Sequence, residues 1–117
     1  MRHIEEDIQA ASVKWFSYQY QELKRLLVAI PNGGHRNVRE ASRLKKGGVV
    51  SGVSDLVLFV PNNHFHALLI EMKAPTGKQT ALQASWQVLA EAQGYKYIVC
   101  RSFDQFKSEI ENYLSQR

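Results

Sequence analysis

Ala67-Leu68-Leu69-Ile70-Glu71-Met72-Lys73 runs apolar for four residues and then turns charged within a single strand-like segment. A run that is apolar on both faces belongs in the middle of a sheet, covered on both sides. The segment therefore carries an acid and a base to the edge of a core, where something must stabilise them. Side chains alternate along a strand, so Glu71 and Lys73 emerge on one face and Met72 on the other. Upstream, Ser54 to Val60 (Ser-Asp-Leu-Val-Leu-Phe-Val) reads as a second strand, and Pro61-Asn62-Asn63-His64 joins it to Phe65–Lys73 as a hairpin with antiparallel neighbours. Pairing across that turn brings Asp55 toward Glu71.

Two carboxylates then flank one lysine. Set together without compensation they repel and resist ionisation, whereas a divalent cation accepts both as oxygen ligands. Mg²⁺ or Mn²⁺ between Asp55 and Glu71 suits phosphodiester hydrolysis: the metal polarises the phosphate and acidifies a bound water. Protonated Lys73 is no ligand, but it can hold the attacking water or steady charge on a phosphoryl oxygen. Glu-x-Lys alone is a weak signal, because both residues are common. The joint pattern of aspartate, hairpin and apolar lead-in is what raises it above a surface salt bridge between Glu71 and Lys73.

Working outward, the chain alternates element types without repeats or linkers. Ile4, Ile8, Ala11 and Trp15 recur at helical spacing, which predicts an amphipathic first helix from about Ile4 to Tyr20. Leu26 to Ile30 reads as a strand ending in the turn Pro31-Asn32-Gly33-Gly34. A basic helix follows, stopped by Gly47-Gly48. After the hairpin, Ala74-Pro75-Thr76-Gly77 breaks the strand, and Gln79 to Gln93 carries Leu82, Trp86 and Leu89 at helical spacing before Gly94. Tyr95 to Cys100 is the last strand. Ser102 caps a closing helix with Phe103, Phe106, Ile110 and Tyr113-Leu114 on one face. The expected architecture is one α/β domain over residues 1–117, a mixed central sheet containing a β-hairpin and flanked by helices.

A chain of 117 residues, 44% hydrophobic and 22% charged, has room for one core and one site, and it must work on a surface or in a cleft. No run of ~18 apolar residues occurs and the amino terminus is acidic (Glu5, Glu6, Asp7), so no membrane span or secretory signal is expected and the reading is cytoplasmic. Cys100, the only cysteine, excludes an internal disulfide or multi-cysteine zinc site. The net charge is +4, and Arg36, Arg39, Arg43, Lys45 and Lys46 against Glu40 account for all of it. Arg36, Arg39, Arg43 and Lys46 align along one side if the segment is helical. Such a local surplus points to a polyanion, nucleic acid before membrane, against the alternative of a solvated basic helix.

Three features are set aside. His64 and His66 lack a third ligand, and in a regular strand His66 faces away from Glu71. Thr76-Gly77-Lys78-Gln79-Thr80 is faintly similar to a phosphate loop, but position 72 is methionine where the first glycine is required, so no nucleotide triphosphate site follows. Trp15, Phe16, Tyr18 and Tyr20 are aromatic enough to stack on bases, though at helical spacing a core or dimer contact is the commoner use.

Gly52-Val53-Ser54-Asp55, then Ile70-Glu71-Met72-Lys73, then Gly77 with Gln83 and Trp86, resembles the PD-(D/E)xK nuclease signature. The closer similarity is to its VRR-NUC branch in the small stand-alone form of phages and bacteria. The likeness spans nearly the whole chain, including Glu5, Ile8-Gln9 and Trp15 at the amino end and Pro31-Asn32-Gly33-Gly34 with Arg36. Ser54 departs from it, since the family usually has proline there; proline is a backbone device and the reacting groups are unaffected. The resemblance implies that Asp55 and Glu71 are metal ligands, Lys73 the catalytic cation, and Glu5, or its neighbours Glu6 or Asp7, a further ligand or water-orienter. Gln83 is a candidate to touch substrate or a metal-bound water. Arg36, Arg39, Arg43 and Lys46, with Lys78, are candidates for the nucleic-acid contact. The expected activity is a divalent-metal-dependent DNA endonuclease, homodimeric and selective for branched DNA or four-way junctions rather than for sequence. The alternative is a catalytically silent nuclease-like binding or adaptor module.

Overall fold

The computed structural model describes residues 3–31 and 38–117. Its elements follow the expected order: α1 (Ile4–Gln19), a 3₁₀ turn (Lys24–Leu26), β1 (Leu27–Ala29), α2 (Val38–Lys46), β2 (Leu56–Leu58), β3 (Leu68–Met72), α3 (Ala81–Ala92), β4 (Lys96–Cys100) and α4 (Phe103–Leu114). The sheet order is β1-β2-β3-β4, antiparallel for the first two pairings and parallel for the last. The result is a mixed sheet flanked by helices. The expected turn Pro31-Asn32-Gly33-Gly34 and Arg36 lie, apart from Pro31, outside the described residues.

Every residue of β3 is buried, as the two-sided apolar run requires of a central strand. Leu68, Ile70 and Met72 pack with Leu56 and Leu58 against Phe16 of α1 and Phe106, Ile110 and Tyr113 of α4. On the opposite face Leu69, Val57 and Tyr97 meet Ala90 and Trp86 of α3. Each fully buried aliphatic side chain here contributes about 1.5–3 kcal/mol. That covered strand holds Glu71 in place.

Both hairpin strands are shorter than their sequences suggest, for two physical reasons. Beyond the turn, the Asn62 side-chain oxygen accepts from the N–H of His64 and of Phe65 (2.9 and 2.8 Å), curling the chain out of the ladder. At the other end the Asp55 carboxylate takes the Met72 N–H at 2.6 Å, in place of a main-chain carbonyl. The ladder ends where the site begins.

Two amphipathic faces differ from expectation. In α1 the buried stripe is Ser12 and Phe16, with Ile8 half-buried, while Ala11 is exposed; the Ser12 hydroxyl donates to the Ile8 carbonyl and so enters the core satisfied. Trp15 packs edge-on against Tyr20, Phe103 and Phe106, which makes the aromatic cluster a core feature apart from the exposed Tyr18. In α3, Trp86 and Ala90 turn to the sheet, but Leu82, Val88 and Leu89 remain more than 60% exposed, an apolar surface that one domain does not cover.

Gly52 fixes how the Asp55 strand meets α3. Its φ is +89°, and a Cβ there would lie 2.7 Å from the Leu82 carbonyl oxygen, a main-chain atom that cannot turn aside. Gly52→Ala is therefore expected to lower stability by about 2 kcal/mol or more. Gly47→Ala is the control: its Cβ would meet ordinary contacts at 3.5 Å, and it should move the thermal midpoint little. Equal midpoints for the two variants would refute this reading of Gly52.

Candidate active site

Continuing the β2–β3 register by one residue from Leu56↔Ile70 sets Asp55 opposite Glu71. Glu71 sits on the same face of β3 as Leu69, and Lys73 follows two residues on, its backbone N–H donating to the Cys100 carbonyl at 2.9 Å. Lys73 Nζ lies 3.6 Å from Glu71 Oε2, with both side chains almost fully buried. An ion pair taken out of water needs further hydrogen bonds to offset its desolvation. Glu71 has them on one oxygen only. Tyr97 donates its phenol to Oε1 at 2.6 Å and Gln79 donates Nε2 to the same atom at 3.0 Å. Oε2 is buried and has no hydrogen-bond partner.

Asp55 is half-buried, and its pKa is pushed above the ordinary aspartate range. Desolvation is the main cause, opposed by the Met72 N–H, reinforced by the negative charges of Glu71 and Glu5, and opposed again by Lys73. Four ionisable groups thus share one field. Tyr97 also resists ionisation, chiefly through burial and through its bond to Glu71, so it stays a donor.

Of the three acids that open α1, Glu5 reaches this place: the Ala74 N–H donates to its Oε1 at 3.4 Å, at the exit of β3. Glu6 turns instead to His3, 3.8 Å away. Among the described residues no three His, Cys, Asp or Glu side chains group closely enough to enclose a metal by themselves. That donor set still suits a small hard cation, which is commonly bound through one or two carboxylates while water and phosphate complete its shell. The orphaned Oε2 and the reluctance of Asp55 to ionise are both relieved by a positive charge between them.

Lys78 and Gln83 follow Lys73 along the chain, on the next loop and in α3. Gln83 is the third residue of α3, where its side-chain oxygen accepts the Thr80 N–H and the Thr80 hydroxyl accepts its own N–H, a reciprocal cap. Its side-chain oxygen is thereby engaged in the cap, and the glutamine on the centre is Gln79. Lys78 is exposed on the loop after Lys73, a loop that Arg101 ties down by donating Nε and Nη2 to the Gly77 carbonyl. Arg39, Arg43 and Lys46 lie exposed on α2, which leads through residues 47–54 to Asp55. Arg36 is outside the described residues. The Ser54 hydroxyl donates to the Leu56 carbonyl at 3.2 Å, a local bond at the start of the strand.

Sequence reasoning missed Tyr97, Gln79 and Gln87. The signal for Tyr97 was topological: the parallel pairing Leu69↔Tyr97 puts it on the face of Glu71, but nothing in Tyr95–Cys100 says which strand it adjoins.

Comparison with known proteins bears on the family and the fold. A search of curated proteins finds no match. A solved structure described as a VRR_NUC domain protein superposes with a TM-score of 0.84 at 23% identity, over 97% of this chain and 89% of that one, which shows a common fold. The VRR-NUC domain profile matches residues 2–104, a span that takes in Glu5, Asp55, Glu71, Lys73 and Tyr97. With the profile covering most of its length, the chain belongs to the VRR-NUC family of nuclease domains.

Proposed function

We propose that the protein is a divalent-metal-dependent DNA endonuclease. The observation that carries the reading is the buried Glu71, whose Oε2 accepts no hydrogen bond and lies 3.6 Å from Lys73 Nζ, on a strand whose register sets Asp55 opposite. Asp55 and Glu71 Oε2 would hold Mg²⁺ or Mn²⁺, with Glu5 reaching it directly or through water. When bound, the ion supplies polarisation of the scissile phosphate and a more acidic water. The remaining work falls to side chains. Lys73, its Nζ 3.6 Å from Glu71 Oε2, would donate to the attacking water or to a phosphoryl oxygen as negative charge gathers there. Buried in a strand covered on both faces, Glu71 cannot swing away, so water attack needs no rearrangement of this pair.

Arg39, Arg43 and Lys46, with Arg36 and Lys78, would track the phosphate backbone. Such contacts position DNA without reading bases, so selectivity comes from DNA shape, with branched DNA or a four-way junction as the substrate class. One centre cuts one strand; paired incision calls for a homodimer with a twofold axis, and the exposed Leu82, Val88 and Leu89 support a further interface. A DNA substrate fits a cytoplasmic protein, and the host cytoplasm if a phage encodes it. Among the described residues no helix is long and apolar enough to cross a membrane.

The test is incubation with labelled linear duplex, single-stranded and four-way DNA under Mg²⁺, Mn²⁺ or EDTA, with molecular mass measured alongside. Nicking that needs the metal is expected, with preference for the branched substrate. Binding without cleavage under either metal would make the protein a silent nuclease-like adaptor. Replacing Arg39, Arg43 and Lys46 by alanine should weaken binding to all DNA shapes alike and flatten the salt dependence, by about 0.9 in log–log slope for each phosphate no longer neutralised. An unchanged slope would remove α2 from the interface.

A further inference from the structure

A carboxylate has about four lone-pair sites, two on each oxygen. In Glu71 both sites of Oε1 are taken, by the Tyr97 phenol at 2.6 Å and Gln79 Nε2 at 3.0 Å, while Oε2 has no hydrogen-bond partner. The donors are themselves held. The second amide hydrogen of Gln79 goes to Gln87 Oε1 at 2.8 Å, and Gln87 Nε2 reaches Glu91 Oε2 at 3.3 Å. This chain of bonds begins and ends on a carboxylate, which accepts only, so both amides are fixed in orientation. Tyr97 is equally constrained, because β4 pairs with β3 in parallel register and the ring lies against Trp86.

We infer that Tyr97 and Gln79 are positioning residues that restrict Glu71 to one coordinating oxygen, and thereby make the centre select a small six-coordinate cation over calcium. The inference rests on the metal-binding reading above. Mg²⁺, and Mn²⁺ in the same role, fit an octahedral shell, met by single oxygens from each carboxylate and by water. Ca²⁺ takes six to eight oxygens and gains from carboxylates that grip with both. A Glu71 whose Oε1 is saturated cannot offer that grip. Freeing Oε1 would open it.

Calorimetric titration of the full chain with MnCl₂, MgCl₂ and CaCl₂ separately, without DNA, tests this independently of cleavage. Tyr97→Phe removes one donor while keeping the ring. Gln79→Leu removes the other at a half-buried position, so the test stands if either variant alone fails to fold. The expected result is about a tenfold fall in the ratio of Mn²⁺ to Ca²⁺ affinity in each variant, the usual size of an effect transmitted through a ligand's partner. A larger fall is expected when both are changed. Loosened packing alone would weaken all ions together and leave the ratio where it was, and an unchanged ratio in the folded variants overturns the inference while leaving the metal site intact. A wild-type chain that binds none of the three ions overturns the metal site itself.

Discussion

Glu71→Gln is expected to lower cleavage by about 10³-fold while leaving binding to four-way DNA within about threefold. The substitution is close to isosteric, and its side-chain oxygen can still accept from Tyr97 and Gln79 at the Oε1 position. What changes is Oε2, which becomes an amide and takes a negative ligand from any cation held there. Loss of ~4 kcal/mol of transition-state stabilisation is the corresponding barrier change. Stability should also fall, by about 2 kcal/mol, since Lys73 is nearly buried and loses the counter-charge 3.6 Å away. Parallel measurement of nicking, junction binding and thermal midpoint separates these effects. Nicking retained within tenfold would take Glu71 out of the chemistry.

Asp55→Asn carries the opposite sign in stability. Cleavage should again drop by at least about 10²-fold, because the second carboxylate is gone. In EDTA, however, the variant should melt about 4 °C above the parent, corresponding to roughly 1 kcal/mol at this chain length. Asp55 is desolvated and faces the charges of Glu71 and Glu5, so its ionised form is disfavoured in the folded state. Its pKa is raised on folding, so its favourable contribution is complete below the unfolded aspartate value near ~4 and is lost as pH rises through the higher folded value. The advantage of asparagine should therefore be largest at neutral pH and fade on acidification, and its side-chain oxygen can still accept the Met72 N–H. A lower midpoint for Asp55→Asn at pH 7 in EDTA would mean that the site is not electrostatically strained.

The opposite stability signs follow from different surroundings. Glu71 has two neutral donors and a lysine; Asp55 has one peptide N–H and two neighbouring acids. A group kept at a cost in stability, as Asp55 is, fits the role in chemistry proposed for it.

What could be read from sequence was whatever depends on neighbours along the chain. Alternation in Leu68-Leu69-Ile70-Glu71-Met72-Lys73 assigns the strand, its two faces and the placement of its charges, because burial on both sides leaves no other arrangement. The hairpin follows from its turn, and with it the approach of Asp55 to Glu71. Less legible was anything decided by a partner distant in sequence. Which face of α1 turns inward depends on α4, and Ser12 enters the core because its hydroxyl finds the Ile8 carbonyl. Tyr97 and Gln79 reach Glu71 through a parallel pairing and a loop conformation that no local pattern encodes. Among Glu5, Glu6 and Asp7, sequence offers three near-equal acids, and the crossing of α1 by the end of β3 favours Glu5.

Anomalous diffraction from crystals grown with Mn²⁺ would test the site most directly. The account predicts a single strong peak within about 2.3 Å of an Asp55 carboxylate oxygen and of Glu71 Oε2, with the Tyr97 phenol still on Oε1. A manganese ion bound elsewhere, with Asp55 and Glu71 left uncoordinated, would contradict it.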